Sequence, residues 1–349
     1  MSLMESGLVA VLGTSLAIAA LRPIAERMNL VDLPNQRKQH VGAIPLIGGI
    51  SVFVGVLLSV LFTFPRETSL LFFLFCGVLI VILGAIDDAH DISPWLRLGI
   101  QALLTLCLCK VTGVALHDFG NILGLGNISV RWGELVVTVI AVCGAINAYN
   151  MMDGIDGLAG SMATITFIGL AILFHDTMPL VGELSQIFII AMIPFLAVNL
   201  TIPPITKKIF LGDAGSMLLG FTIGFLVIYG SQQTRIESAF RPVTALWLIG
   251  LPLMDMVGIM VRRLRKGQSP LRPDRNHLHH ILMHAGFSPR VSLVLMTIVS
   301  SLMMAFGVIG EFFGISEVVM MLMFINVFLL YSFALLHAWK IGKKIKRWI

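Results

Sequence analysis

Charge is what this sequence has least of. Asp, Glu, Lys and Arg make up 12% of its 349 residues, against about 25% in an ordinary soluble domain, and that shortfall excludes a water-soluble globule. Hydrophobic residues fill 57% of the chain and mean hydropathy is +0.94. Cysteine is scarce as well: Cys76, Cys107, Cys109 and Cys143 all lie inside apolar runs. They lack the paired spacing of a zinc site, which sets aside disulfide and metal-thiolate chemistry. The first apolar run has no basic stretch ahead of it and is followed by Arg22, so it reads as a span and not as a cleavable secretory signal. There is no low-complexity tract, no internal repeat and no loop long enough for a separate soluble domain. Residues 1–349 read as one membrane domain, with 340–349 as a basic tail.

What is present instead is a succession of apolar runs near the roughly 20 residues that a bilayer requires. Eleven are readable, at about 3–21, 45–64, 69–86, 95–113, 132–149, 157–174, 184–202, 214–230, 242–261, 291–313 and 318–338. They predict an all-α, polytopic integral membrane protein with about 11 transmembrane helices. Short inward-facing loops collect Lys and Arg, and 19 of the 24 such residues fall on alternate connections that begin with 22–44 and end with the C-terminal tail. Only Arg66, Lys110, Arg131, Arg235 and Arg241 fall on the other side. The N-terminus is therefore expected outside and the C-terminus in the cytoplasm. The net charge of +5 is mostly this topology signal, with weak adhesion to anionic lipid second; nothing in it calls for nucleic acid.

The polar islands share the inward rim. In Asn147–Leu158, N-A-Y-N-M-M-D-G-I-D-G-L, the residues Asn147, Asn150, Asp153 and Asp156 recur every third position. On a helix that loosens at Gly154 and Gly157 their polar groups converge on one side, offering oxygen ligands to a hard cation or hydrogen bonds to a polar substrate. A plain loop between spans is the alternative. Asp87, Asp88 and Asp91 crowd the end of the third span, where the helix dipole opposes them; a bound cation or a shared proton would relieve the repulsion. Ser93 and Pro94 then fit the cap and first position of the next helix. In F-L-G-D-A-G-S, small residues let a ligand approach Asp213, which also fits a simple N-cap of span eight. Lys207 and Lys208 ahead of it suit phosphates or mere anchoring.

Four of the nine histidines lie between His277 and His284. His277, His279 and His280, with Arg272 and Arg275 nearby, suggest a site for an anionic, sugar-bearing ligand, and metal ligation less so. Arg37, Lys38 and His40 suit a phosphate or only the positive-inside rule. Asp255, after Pro252, is placed to hydrogen-bond within the bundle or to hold the site together. The acids near the outer side, Asp118, Asp176, Glu183 and Glu237, do not cluster. A cation- or proton-coupled transporter, the competing class, would more often carry its critical charges at mid-membrane. Charges at the rim suit a phosphorylated lipid meeting a soluble nucleotide.

D-D-A-H-D, N-A-Y-N-M-M-D-G-I-D-G-L, F-L-G-D-A-G-S and H-L-H-H, in this order and with this span count, resemble the polyprenyl-phosphate N-acetylhexosamine-1-phosphate transferase family. The stretches V-D-L-P-N-Q-R-K-Q-H, P-V-T-A-L-W, P-L-M-D-M and R-R-L-R-K-G-Q-S-P look closest to its bacterial UDP-GlcNAc branch. H-L-H-H, in place of three adjacent histidines, points away from the phospho-MurNAc-pentapeptide branch. The likeness runs along nearly the whole chain and is weakest in the outer loops and last spans.

The resemblance implies a multi-pass enzyme of the bacterial inner membrane with a periplasmic N-terminus and its active site on the cytoplasmic face. It would transfer GlcNAc 1-phosphate from UDP-GlcNAc to undecaprenyl phosphate, releasing UMP and priming O antigen or enterobacterial common antigen. The same reaction with another UDP-HexNAc donor is the near alternative. It further implies Mg²⁺ (or Mn²⁺), with Asp213 as the leading ligand and Asn150 as a second. By the same likeness Asp87 or Asp88 orients or deprotonates the lipid phosphate, Arg97 meets the donor diphosphate, Phe210 stacks on uracil, and Asp156 hydrogen-bonds that base. Asp153 belongs to the same catalytic motif, Asn147 to the substrate-binding set, and His277, His279 and His280 close over the sugar and phosphate, His279 with a catalytic part. Direct attack by the lipid phosphate is expected over a covalent aspartyl intermediate, since that phosphate is already a nucleophile. A homodimer is compatible with the resemblance.

Overall fold

The computed structural model describes residues 3–33, 42–232, 238–269 and 277–345. Arg37, Lys38, His40, Arg272, Arg275 and the end of the basic tail lie outside the described residues. Thirteen α-helices carry the described chain: α1 (Leu3–Leu21), α2 (Gly48–Thr63), α3 (Thr68–His90), α4 (Pro94–Thr112), α5 (Glu134–Met152), α6 (Leu158–Phe174), α7 (Pro179–Asn199), α8 (Gly212–Ser231), α9 (Pro242–Leu248), α10 (Gly250–Arg265), α11 (Leu278–His284), α12 (Pro289–Phe312) and α13 (Glu317–Ile345). Two-residue strands β1 (Val31–Asp32) and β2 (Ile44–Pro45) pair antiparallel, Val31 opposite Pro45.

The protein is an all-α polytopic membrane protein. Each of the eleven apolar runs coincides with a helix or, for the ninth, with the pair α9–α10. Among the described residues eight helices are long and apolar enough to cross a bilayer, or nine if the bent pair counts as one span. The other two, α2 and α6, are apolar but only 16 and 17 residues long. Leu16, Phe62, Phe75, Ile140, Leu302 and Leu330, each more than half exposed, turn apolar surface outward, as lipid contact requires. Trp95 and Trp132, both largely exposed, sit at opposite ends of the α4–α5 hairpin, the usual place of interfacial aromatics.

The axis of the bundle is α8, whose apolar stretch is 94% buried against 17% for α13. It is packed by α2, α3, α5 and α6, and small residues let backbones meet. A Cβ on Gly49 of α2 would lie 2.0 Å from the Cα of Gly215, and one on Gly84 of α3 would lie 2.4 Å from the Cα of Ala214. Both contacts fall in the first turn of α8, so they fix where that helix begins relative to α2 and α3. The segment leading into it is fixed from the same side: Phe210 N–H donates to Pro45 O at 2.8 Å, and Gly48 and Gly49 N–H donate to Phe210 O and Leu211 O at 2.9 Å.

The ninth run differs from the straight span read in the sequence. It breaks at Ile249 and the two halves meet at 82°. Pro252 has no N–H to offer the carbonyl four residues back, which is Leu248 O. That carbonyl accepts instead from the hydroxyl of Thr166 on α6, at 2.9 Å, and Tyr149 Oη lies 2.7 Å from the same hydroxyl. A polar side chain from a neighbouring helix thus satisfies the group that the proline leaves unpaired.

Candidate active site

Helix α8 begins with N–H groups that have no partner in its own chain direction, and a carboxylate 125 residues away supplies one. Asp88, at the end of α3, accepts from the N–H of Asp213 at 2.9 Å and of Ala214 at 3.2 Å. Negative charge is favoured at this end of a helix. Gly212 makes the approach possible: its φ is +74°, and a Cβ there would lie 2.6 Å from Asp88 Oδ2. The residue at the N-cap position is Leu211, which makes no side-chain cap bond. Asp213 is therefore not the cap that a simple reading allowed, and its carboxylate is left to face outward from the first turn with 35% of its side-chain surface exposed.

The turn from α3 to α4 delivers the cation. Asp91 adopts a left-handed conformation, φ 50°, at the end of α3. Ser93 Oγ then accepts from Leu96 N–H at 3.3 Å with Pro94 in the first helical position. Arg97, one turn into α4, points back and pairs with the buried Asp87, whose other oxygen accepts from Ile92 N–H at 2.8 Å. Arg97 Nη1 also lies 3.8 Å from Asp213 Oδ2.

Asn150, in the last turn of α5, donates from Nδ2 to Asp213 Oδ1 at 2.7 Å and to Ser216 Oγ at 2.9 Å, which leaves its carbonyl oxygen for a ligand. Asp153 ends α5 and is exposed, near enough to Asp88 for their charges to interact. Asn147 is not brought to this group: its Nδ2 donates to Cys143 O, one turn back on its own helix, at 2.7 Å. The three-residue spacing therefore converges in part only, because the helix ends at Met152 and the later residues follow a loop.

That loop is clasped by Asn199, which the sequence reading passed over. Asn199 is buried; its Oδ1 accepts from Gly157 N–H at 2.6 Å and its Nδ2 donates to Ile209 O at 2.8 Å. The only signal in the sequence was an amide at the end of an otherwise apolar run. The clasp brings Asp156 to Lys208, with which it pairs, and the Lys208 ammonium lies 5.4 Å from the centre of the Phe210 ring. A lysine read mainly as an anchor thus sits between two residues assigned to the nucleobase.

A second wall comes from the histidine loop. His277 Nδ1 lies 2.7 Å from Asp255 Oδ2. The His277 and His279 rings are parallel within 7°, centroids 5.7 Å apart, and His280 lies 4.2 Å from His279. His279 is 1% exposed and neither of its ring nitrogens has a hydrogen-bond partner among the described residues. Burial, and then the neighbouring His280 and His277, push its pKa down to about 3, so it is neutral at ordinary pH. A Cβ on Gly154 would lie 2.1 Å from His279 Nε2: the loop closes directly on the glycine that follows Asp153.

The donor set fits a hard divalent cation that keeps water and takes ligands from phosphate. Asp213, partly exposed beside the Asn150 amide, and the Asn150 carbonyl are adjacent and open to a ligand, whereas Asp88 is engaged at the start of α8 and the buried Asp87 with Arg97 and Ile92 N–H. Among the described residues no three His, Cys, Asp or Glu are grouped to hold a metal by themselves.

An apolar helical bundle whose central helix starts in a partly exposed carboxylate, beside an amide and an arginine, defines a membrane-embedded site suited to a phosphorylated ligand. The pattern of glycosyl transferase family 4 matches residues 70–231, from α3 to the end of α8. Curated relatives extend the likeness to nearly the whole chain. The undecaprenyl-phosphate alpha-N-acetylglucosaminyl 1-phosphate transferase of Pasteurella multocida is 43% identical over 342 residues, 97% of this chain and 95% of that one. Those of Yersinia pestis and Escherichia coli K12 are 42% identical over 332 residues and 40% over 338, covering 93% and 96% of this chain and 89% and 91% of theirs. The chain belongs to glycosyl transferase family 4, and its class is that of the glycosyl-1-phosphate transferases.

Proposed function

We propose that the protein transfers GlcNAc 1-phosphate from UDP-GlcNAc to undecaprenyl phosphate at the cytoplasmic face of the bacterial inner membrane. The observation that carries the reading is the partly exposed Asp213 carboxylate, held between the Asn150 amide and the Arg97 guanidinium while Asp88 takes over the start of α8. The basic-loop count supports the orientation, with the N-terminus in the periplasm.

In the reaction a lipid phosphate oxygen forms a bond to the phosphorus that carries GlcNAc, and the bond from that phosphorus to the UMP oxygen breaks. The products are undecaprenyl-diphospho-GlcNAc and UMP. A phosphate monoester has its second pKa near 6, so the lipid phosphate arrives largely as the dianion and needs no base. Asp87 and Asp88, with their oxygens bonded, are accordingly assigned to fixing Arg97 and the start of α8. Arg97 meets the donor diphosphate. Asp213 and the Asn150 carbonyl hold Mg²⁺ or Mn²⁺, which when bound neutralises the diphosphate and the departing UMP. Asp156, Lys208 and Phe210 receive the base, and neutral His279 closes the sugar side together with His277 and His280.

The test is UMP release by purified protein given undecaprenyl phosphate, Mg²⁺ and either UDP-GlcNAc or UDP-GalNAc, with a lipid-free control. Lipid-dependent release with UDP-GlcNAc is expected. Release with UDP-GalNAc alone would keep the chemistry and change the sugar. No release from folded protein with any nucleotide sugar would sink the reading.

A further inference from the structure

Asp255 lies near the middle of α10, fully buried, and both of its oxygens are engaged. Oδ2 faces His277 Nδ1 at 2.7 Å. Oδ1 accepts from Leu278 N–H at 3.0 Å and from the Tyr331 hydroxyl of α13 at 2.5 Å. Tyr331 is one of three tyrosines in the chain, and it reaches Asp255 because α10 and α13 approach closely at Gly258. A Cβ there would lie 3.4 Å from the tyrosine ring. A carboxylate only accepts, so His277 carries a proton on Nδ1 whatever the charge of its ring, and Nε2 is turned away from Asp255. The ring so oriented stacks on His279, and His279 abuts Gly154. A chain of contacts therefore runs from the outermost face of the bundle to the loop that carries Asp153 and Asp156.

We propose that Tyr331 is a positioning residue for the histidine loop: its hydroxyl fixes the Asp255 carboxylate, and through it the tautomer of His277 and the stack against Gly154. The kinetic part of this inference rests on the transferase reading; the structural part does not.

The experiment is NMR of the full chain in detergent with ¹⁵N in the histidine rings, His277→Asn identifying the His277 resonances, alongside turnover of the same preparations. Wild-type protein is expected to show His277 protonated on Nδ1 in a single form. Tyr331→Phe keeps the ring and its packing; it should give a mixture of Nδ1- and Nε2-protonated forms. In turnover, kcat should fall on the order of tenfold while KM for the nucleotide sugar moves less than about twofold. In the His277→Asn background the same substitution should cost nothing further, which a purely structural role would not produce. Asp255→Asn should scramble the same resonances and answers the question from the other side if Tyr331→Phe does not fold. An unchanged His277 spectrum in the folded variants, or an undiminished loss in the His277→Asn background, overturns the proposal. If the histidine spectrum responds as expected while wild-type protein turns over no nucleotide sugar, the positioning role stands and the transferase reading falls.

Discussion

The two ends of this bundle use the same side chains to opposite effect. At the end away from the candidate site Arg241 donates to Glu311 at 3.0 Å, to Ile315 O at 2.7 Å and to Gly310 O at 3.0 Å, and its own N–H reaches the second Glu311 oxygen at 3.2 Å. Thr244 also donates to that oxygen. Within this cluster one cation and one anion cancel, both are hydrogen-bonded, and the start of α9 is stapled to the end of α12. At the site end Asp87 and Asp213 share Arg97 while Asp88 stands beside Asp213, and one carboxylate stays partly exposed. The difference teaches that polar content by itself does not mark a site. An unbalanced charge does, because burying it against a low-dielectric bundle is costly unless a ligand completes it.

Exchanging one acid at each end for its amide should separate the two roles. Asp213→Asn is expected to lower kcat by roughly 10²–10³-fold, the scale seen when one key electrostatic group is removed from a reacting centre, and to raise the Mg²⁺ concentration needed for half activity. Its melting temperature should hold or rise, since a like-charge contact with Asp88 is relieved. Glu311→Gln should do the reverse. It leaves Arg241 short of a counter-ion and should cost about 3 kcal/mol of stability, read by thermal melting, with turnover per folded molecule unchanged. If Asp213→Asn melts early and stays active, or Glu311→Gln is stable and inactive, the contrast between the ends is wrong.

Much of the scaffold was legible because lipid imposes long apolar runs and each run became a helix. The Ser93–Pro94 start of α4 was legible for the same local reason: a cap is decided within four residues. The bend at Ile249 was not read, although Pro252 was in view, because a proline shows that a carbonyl is freed but not which partner will take it. Thr166 lies 82 residues from Leu248. The role of Asp88 at the start of α8, the Lys208–Asp156 pair, the Asn199 clasp and the reach of Tyr331 to Asp255 were hidden likewise. Each joins segments far apart in sequence, and periodicity reports only the face of a helix, never its neighbour. Asn147 shows the converse, where regular spacing promised a convergence but the amide inside α5 donates to Cys143 O one turn back.

The histidine wall sharpens the contrast through pH. Folded His279 titrates at about 3 against 6.5 for a free histidine. Below pH 6.5 the unfolded chain takes up a proton that the folded chain refuses. This contribution is therefore fully present above the free value and is lost as pH falls toward the folded one, by about 1.4 kcal/mol per unit. Melting from pH 7 to pH 5 should show wild-type stability falling more steeply than that of His279→Gln; parallel curves would mean that His279 is not held neutral and dry.

The smallest effect is expected at mid-depth around Thr166, where the polar groups are neutral and hydrogen-bonded. Thr166→Val keeps the side-chain volume but removes the donor to Leu248 O and the partner of the Tyr149 hydroxyl. Hydrogen bonds between membrane helices average well under 2 kcal/mol, so a loss of about 1 kcal/mol is expected in thermal melting, with kcat changed less than about twofold. Tyr149 immediately precedes Asn150, however, and α10 carries Asp255, so this hydroxyl stands between the two walls of the site. A large loss of turnover with little loss of stability would show that the α9–α10 bend sets the site's geometry, and the dividing line between scaffold and chemistry would then run through the middle of the bundle and not near the end that carries Asp213.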